Sequence, residues 1–215
     1  MFLFGHIGIT LGSAVLVTGL ITTIRQSSSH RKISQQPKSK SSEYRSISKK
    51  AFPITTWIES LGEFMDLRLL IIGSLLPDII DKPIGMFLFG NGRVFTHSLL
   101  VTLLLLITGG YLYLNHKQTG VLAIAIGTFT HLILDQIWLT PQTLFWPSLG
   151  WKFPIGVRTN YLPTWISALS RNPEIYISEA IGMVIVLGFI WILIREQKFI
   201  SFIRNGKLVP AVYKT

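Results

Sequence analysis

Apolar residues run almost unbroken through residues 2–24, 94–114, 119–139 and 175–194. At about 1.5 Å rise per residue, each run is long enough to cross a hydrocarbon core of about 30 Å as a helix. A fifth run, 67–80, covers about 21 Å by the same rise and reaches crossing length only if Met86–Phe89 extend it. Between the first and second runs the pattern is lost. Residues 25–50, with SSS and QQPKSKSS, show no apolar periodicity and predict a disordered, basic linker. Residues 51–66 interleave Trp57, Ile58, Leu61, Phe64 and Met65 with Glu59, Glu63 and Asp66, the pattern of an amphipathic helix lying at an interface. Residues 140–174 are rich in Pro and Trp, which predicts aromatic anchoring at the other interface and a lid over whatever lies beneath.

With 49% hydrophobic and 14% charged residues among 215, the soluble globular class is excluded. The expected fold is all-α, a polytopic membrane helix bundle of about five transmembrane segments. It divides into a first transmembrane helix (1–24), a linker (25–50), an interfacial helix (51–66), a transmembrane core (67–194) and a basic tail (195–215). A net charge of +10 would suit nucleic acid. The Lys and Arg residues, however, concentrate in the linker and the tail, which the positive-inside rule places in the cytoplasm. Only an odd number of crossings puts both on that side, so the N-terminus is expected out and the C-terminus in. Membrane lipids, rather than nucleic acid, are the expected partners. The first run is followed, not preceded, by basic residues, and so reads as an uncleaved anchor. The absence of cysteine excludes disulfides and thiolate ligands.

Charged and imidazole side chains inside such segments need a reason, because a carboxylate at mid-membrane costs about 2.5–3.5 kcal/mol on insertion scales. His6, Asp78, Asp81, His97, His131, Asp135 and Glu179 are the residues concerned. In the five-span topology all fall in the outer half, most about 5–10 Å below the boundary. His131 and Asp135 stand at i and i+4, and Asp78 and Asp81 at i and i+3, so each pair shares a helical face. Pro77 disfavours helix in its predecessor and could aim the carboxylates. Imidazole and carboxylate together suit a divalent metal, zinc or manganese. His6, Asp78, His97, His131 and Asp135 are the expected ligands, and Asp81 or Glu179 the base. Arg93, Arg158, Lys152 or Arg171 could hold a phosphate at the mouth. The competing reading is structural: single histidines can bond between helices, and the aspartates could pair with Lys82 and Arg93.

Taken in order, FGHIGIT with His6, LPDIID with Asp78 and Asp81, FTHSLL with His97, GTFTHLILDQIW with His131 and Asp135, and LFWP at 144–147 are similar to the YdjM-type family of bacterial inner-membrane proteins, described as metal-dependent hydrolases. The resemblance implies an inner-membrane location, these residues as metal ligands or their neighbours, and hydrolysis. Lys82 directly after Asp81, a lone Arg93 before the Thr-His-Ser run and the long basic linker depart from the family pattern. The expected function is a membrane-embedded, metal-dependent hydrolase acting on a lipid or lipid-linked (phospho)ester near the outer leaflet. Its rivals are a metal or proton transporter, against which the nearly uncharged inner halves of the helices argue, and a non-catalytic scaffold.

Overall fold

The computed structural model of the chain describes residues 2–33, 54–154 and 171–206. Their regular elements are helices: α1 (Leu3–Ile33), α2 (Ile54–Phe64), α3 (Leu67–Leu88), α4 (Leu99–His116), α5 (Gly120–Leu134), α6 (Pro141–Leu144), α7 (Pro173–Arg195) and α8 (Phe199–Asn205), with a 3-10 turn at Ile137–Leu139. Three stretches, Leu3–Arg25, Leu99–His116 and Pro173–Arg195, are long and apolar enough to cross a membrane by themselves. The α5 helix is apolar but only 15 residues long. Its principal partner, α3, has 22 residues, or about 33 Å, and carries Arg68, Asp78, Asp81 and Lys82. The chain is an all-α membrane bundle in which the apolar α1, α4 and α7 turn Leu16, Leu104 and Val184 outward and the more polar α3 packs against α5.

Close approach of the helices depends on small residues, as expected where lipid removes the hydrophobic drive for association. A Cβ at Gly73 of α3 would stand 2.7 Å from the Ile124 Cα, and one at Gly127 of α5 2.6 Å from the Ser74 amide. Gly109 of α4 approaches the Leu122 backbone equally closely. On the other side, Gly8 of α1 and Gly182 of α7 face each other backbone to backbone. Towards α2 and α8 the interior is apolar, built from Leu11, Val15, Ile58, Leu61, Leu70 and Phe189 with their neighbours. Polar residues gather at the opposite end.

Several element boundaries differ from the sequence pattern. The first helix continues to Ile33 instead of ending near residue 24, while residues 34–53 of the expected linker lie outside the described residues. The weak second run is one continuous helix through Pro77 and Pro83. Pro77 has no N–H to offer the Gly73 carbonyl, and the Thr128 hydroxyl of α5 donates to that carbonyl instead at 3.2 Å. The third run starts its helix at Leu99, not 94, with Ser98 as N-cap accepting from the Val101 amide. The fourth stops at Leu134, because Gln136 adopts a left-handed conformation (φ 50°). At the α2 and α8 end, Arg68 donates to the Ile203 carbonyl at 2.8 Å while paired with Asp66, tying the start of α3 to the last turn of α8. Partial burial pushes the Asp66 carboxyl up, but hydrogen bonds from Arg68 outweigh it and hold the group below the usual carboxylate range.

Candidate metal centre

The polar end of the bundle is assembled from three elements. Helix α3 supplies Asp78 and Asp81 one turn apart, the last turn of α5 supplies His131 with Asp135 at its C-cap, and the loop 89–98 supplies His97. His97 was expected inside a helix and lies instead in this loop, held there by Asp81. The Asp81 carboxylate, fully buried, accepts from the backbone amides of Val94 (2.9 Å), Thr96 (3.1 Å) and His97 (3.1 Å) and from His97 Nδ1 (2.7 Å). The Thr96 hydroxyl donates to the Pro77 carbonyl, a second tie between loop and α3. Phe89, Phe95, Trp146 and Phe153 interlock beside the loop, and Asn91 donates to the Pro154 carbonyl at 2.8 Å. Residues 145–154 of the expected lid thus pack against the His97 loop.

These bonds determine which ring nitrogens face inward. His131 Nδ1 lies 2.7 Å from the Ser74 carbonyl, which can only accept, so Nδ1 carries the hydrogen and Nε2 presents its lone pair. His97 Nδ1 donates to Asp81, and its Nε2 is likewise a lone pair. The two Nε2 atoms are 3.3 Å apart, with no hydrogen between them in these tautomers. Two imidazole ligands of a tetrahedral ion at about 2.0–2.1 Å would be separated by about 3.3–3.4 Å. Asp78 Oδ1 lies 3.8 Å from His97 Nε2 and 3.9 Å from His131 Nε2, and Asp135 Oδ2 lies 3.9 Å from His97 Nε2. One ligand atom each from Asp78, His97, His131 and Asp135 falls within 4.8 Å of all the others. This donor set fits a divalent ion of nitrogen and oxygen preference.

His6 adjoins this set without belonging to the four. Its ring stacks on that of His131 (centroids 4.1 Å apart, 18° between planes), and its Nε2 approaches Asp135 Oδ1 at 3.2 Å. Neither His6 nitrogen has an aligned hydrogen-bond partner among the described residues although the side chain is fully buried. Lys82 pairs with Asp78 at 2.6 Å and Arg93 with Asp135 at 2.8 Å, each cation part-exposed and each on the carboxylate oxygen turned from or shared with the cluster. The ion pairs weighed as a rival to metal ligation are therefore present for Asp78 and Asp135 beside the cluster, while Asp81 pairs with His97.

The two expected bases have other partners. The Asp81 oxygens are turned to the loop amides and the His97 ring, so this carboxylate positions His97. Glu179 on α7 is buried at the start of α1, where Oε1 accepts from the Phe2 (2.7 Å) and Gly5 (3.1 Å) amides and Oε2 from Phe4 (3.0 Å). It satisfies amides that the first turn of a helix leaves without partners and complements the positive end of the helix dipole. Glu179 thus holds the turn that leads into His6. Replacing it with Gln is expected to lower stability by about 1–3 kcal/mol, measured by thermal unfolding in detergent, while leaving the Asp78, His97, His131 and Asp135 cluster in place. Of the expected phosphate-binding residues, Arg93 is at the cluster, Lys152 and Arg171 are exposed, and Arg158 lies outside the described residues. The Ser74 carbonyl, which orients His131, left no trace in the sequence, since any residue provides a carbonyl.

All four cluster residues, and Asp81, fall within residues 51–199, which match the YdjM inner membrane protein family. The chain belongs to the YdjM family. That match covers more than half of the chain and makes it an inner-membrane protein, in keeping with its apolar helices. His6 and the rest of α1 precede the YdjM match, so the stacked third imidazole comes from outside it. No curated protein and no solved structure matches the chain.

Proposed function

We propose that this YdjM-family protein is a metal-dependent hydrolase acting within the membrane on a phospholipid or other lipid-linked phosphoester. The observation that carries this reading is the pair of Nε2 lone pairs, 3.3 Å apart, each oriented by a hydrogen bond from its own Nδ1 and flanked by Asp78 and Asp135. His97 and His131, with Asp78 and Asp135, would hold one or two ions of zinc or manganese. When bound, such an ion lowers the pKa of a coordinated water towards about 7 and polarises a phosphoryl oxygen. The chain supplies the remainder. Asp81 and Ser74 keep the imidazoles in the tautomer that can ligate. His6, its Nε2 3.2 Å from Asp135 Oδ1, is the candidate base in this reading, since the Asp81 and Glu179 oxygens already accept from backbone amides. Arg93, 40% exposed beside Asp135, and Lys82 beside Asp78 offer positive charge to an anionic head group. Burial of the cluster between apolar helices favours a substrate that partitions into lipid.

The same ion pairs, Lys82 with Asp78 and Arg93 with Asp135, support a second reading in which the cluster braces the bundle without metal. Elemental analysis of protein purified in mild detergent separates the two. About one or two ions per chain are expected, and none in a His97→Ala, His131→Ala, Asp135→Ala variant. Screening phosphatidic acid and phosphatidylglycerol for released phosphate or head group then tests hydrolysis. Folded wild-type protein that takes up neither zinc nor manganese would eliminate the enzyme and leave the brace. An Asp135→Ala variant with full lipid turnover would remove Asp135 from the mechanism.

A further inference from the structure

A groove of about 540 Å³ runs along α1 between α2 and α5, from Arg25 to Thr10 and Thr130, the last directly before His131 in the chain. Thr10, Ala14, Val17, Ile21, Phe64 and Ile126 are among its walls, and Arg25 lines it at the end of the membrane-crossing part of α1. The wall is more apolar than its composition suggests. Ser13, Thr18 and Thr22 donate to the Thr10, Ala14 and Gly19 carbonyls of their own helix, which leaves mostly carbon facing the groove. From Arg25 to Thr10 the distance along the helix is about 22 Å. Half of a bilayer of about 40–45 Å including head groups is about the same. The groove therefore reaches from head-group level to mid-membrane, with a cation at the head-group end.

We propose that the groove binds one anionic phospholipid of the leaflet on the Arg25 side, its phosphate at Arg25 and one acyl chain lying along α1 as far as Thr10. Charge complementarity at Arg25 and the one-leaflet length together select this occupant. Residues 34–53 are a poor alternative, because QQPKSKSS is polar and its lysines would face Arg25 with like charge. A second apolar groove, between α1, α2 and α7, is lined by Leu11, Leu16, Ile54 and Phe189 with no charged residue, and the same argument does not extend to it.

The test uses the full chain in nanodiscs of equal parts phosphatidylcholine and phosphatidylglycerol with identical acyl chains, transferred to detergent for native mass spectrometry. Phosphatidylglycerol is expected to stay bound in preference to phosphatidylcholine. Arg25→Gln should lower its retention about fivefold, as loss of one cation at a lipid surface implies. Ala14→Trp, which fills the groove, should abolish retention. Arg195→Gln, whose guanidinium lies 5.3 Å from the Trp191 ring and off the groove, should retain lipid as the wild type does. Equal retention of the two lipids by the wild type, or retention unchanged by Arg25→Gln and Ala14→Trp, would overturn the proposal. A photo-crosslinking residue at Val17 in otherwise unaltered protein gives a second readout that does not depend on either variant folding. A phospholipid adduct is expected there, whereas adducts to residues 34–53 or to another protein, or none at all, count against it.

Discussion

Asp81→Ala is expected to destabilise the bundle by about 3 kcal/mol or more and to lower metal affinity by about 10–100-fold at once. The carboxylate accepts from three backbone amides and one imidazole, and the Val94 and His97 donors are buried. Each buried donor left without a partner costs about 1–3 kcal/mol. Loss of the Nδ1 bond also frees the His97 ring to turn or to change tautomer, withdrawing its Nε2 from the cluster. Asp78→Ala should behave differently. Asp78 is only partly buried and accepts from Lys82, so its removal should cost little stability while taking a candidate ligand oxygen away. Thermal unfolding and bound-metal analysis on both variants separate the two roles. If Asp81→Ala unfolds like the wild type, the carboxylate does not hold the loop.

Gly182→Leu should separate α1 from α7 and carry His6 away from His131. A Cβ at Gly182 would stand 2.7 Å from the Gly5 amide nitrogen and closer still to the Phe4 carbonyl. Backbone atoms cannot move aside by changing rotamer, so the helices must part. Overpacking a tight contact costs about 1–3 kcal/mol even for small additions, and Leu adds more than a methyl. The same shift would loosen the Glu179 bonds to the first turn of α1. Gly188 on the same helix has open space where its Cβ would be, and Gly188→Ala is expected to be neutral or to stabilise by about 0.5–1 kcal/mol. Unfolding of both variants in detergent, with metal content as the second reading, checks the contrast. Equal stability of the two would show that α1 and α7 do not depend on this contact.

How far the site could be read from sequence varies with residue. Asp78, His97, His131 and Asp135 are visible because ionisable groups are rare and costly in apolar runs, and the structure brings these four together. Their neighbours Asp81 and Glu179 produced the same signal, since a buried carboxylate looks alike in sequence whether it faces an ion, an imidazole or a helix terminus. Only the amides around each one distinguish the cases. Hydrophobicity outlasts the helix at Val94 and Phe95, which are apolar and buried or half-buried, while Asp81 holds the Val94 and Thr96 amides in a loop. Residues 67–88 were underestimated for the opposite reason, because Pro77 and the aspartates lower the apolar signal of a helix whose displaced carbonyl bond Thr128 restores.

The sequence by itself determined that the chain is an all-α membrane bundle, because long apolar runs can satisfy their backbone in lipid as helices, and its family match makes that membrane the inner one. It also determined which ionisable side chains are kept there despite their cost. Tertiary structure alone decided what each of them does. Lone pairs point inward on His97 and His131 because of partners that lie 16 and 57 residues away in the chain, and Glu179 is spent on amides 174–177 residues distant. Hydrogen-bond direction depends on which groups the packed helices bring within 3 Å of one another, and no local pattern of residues records that.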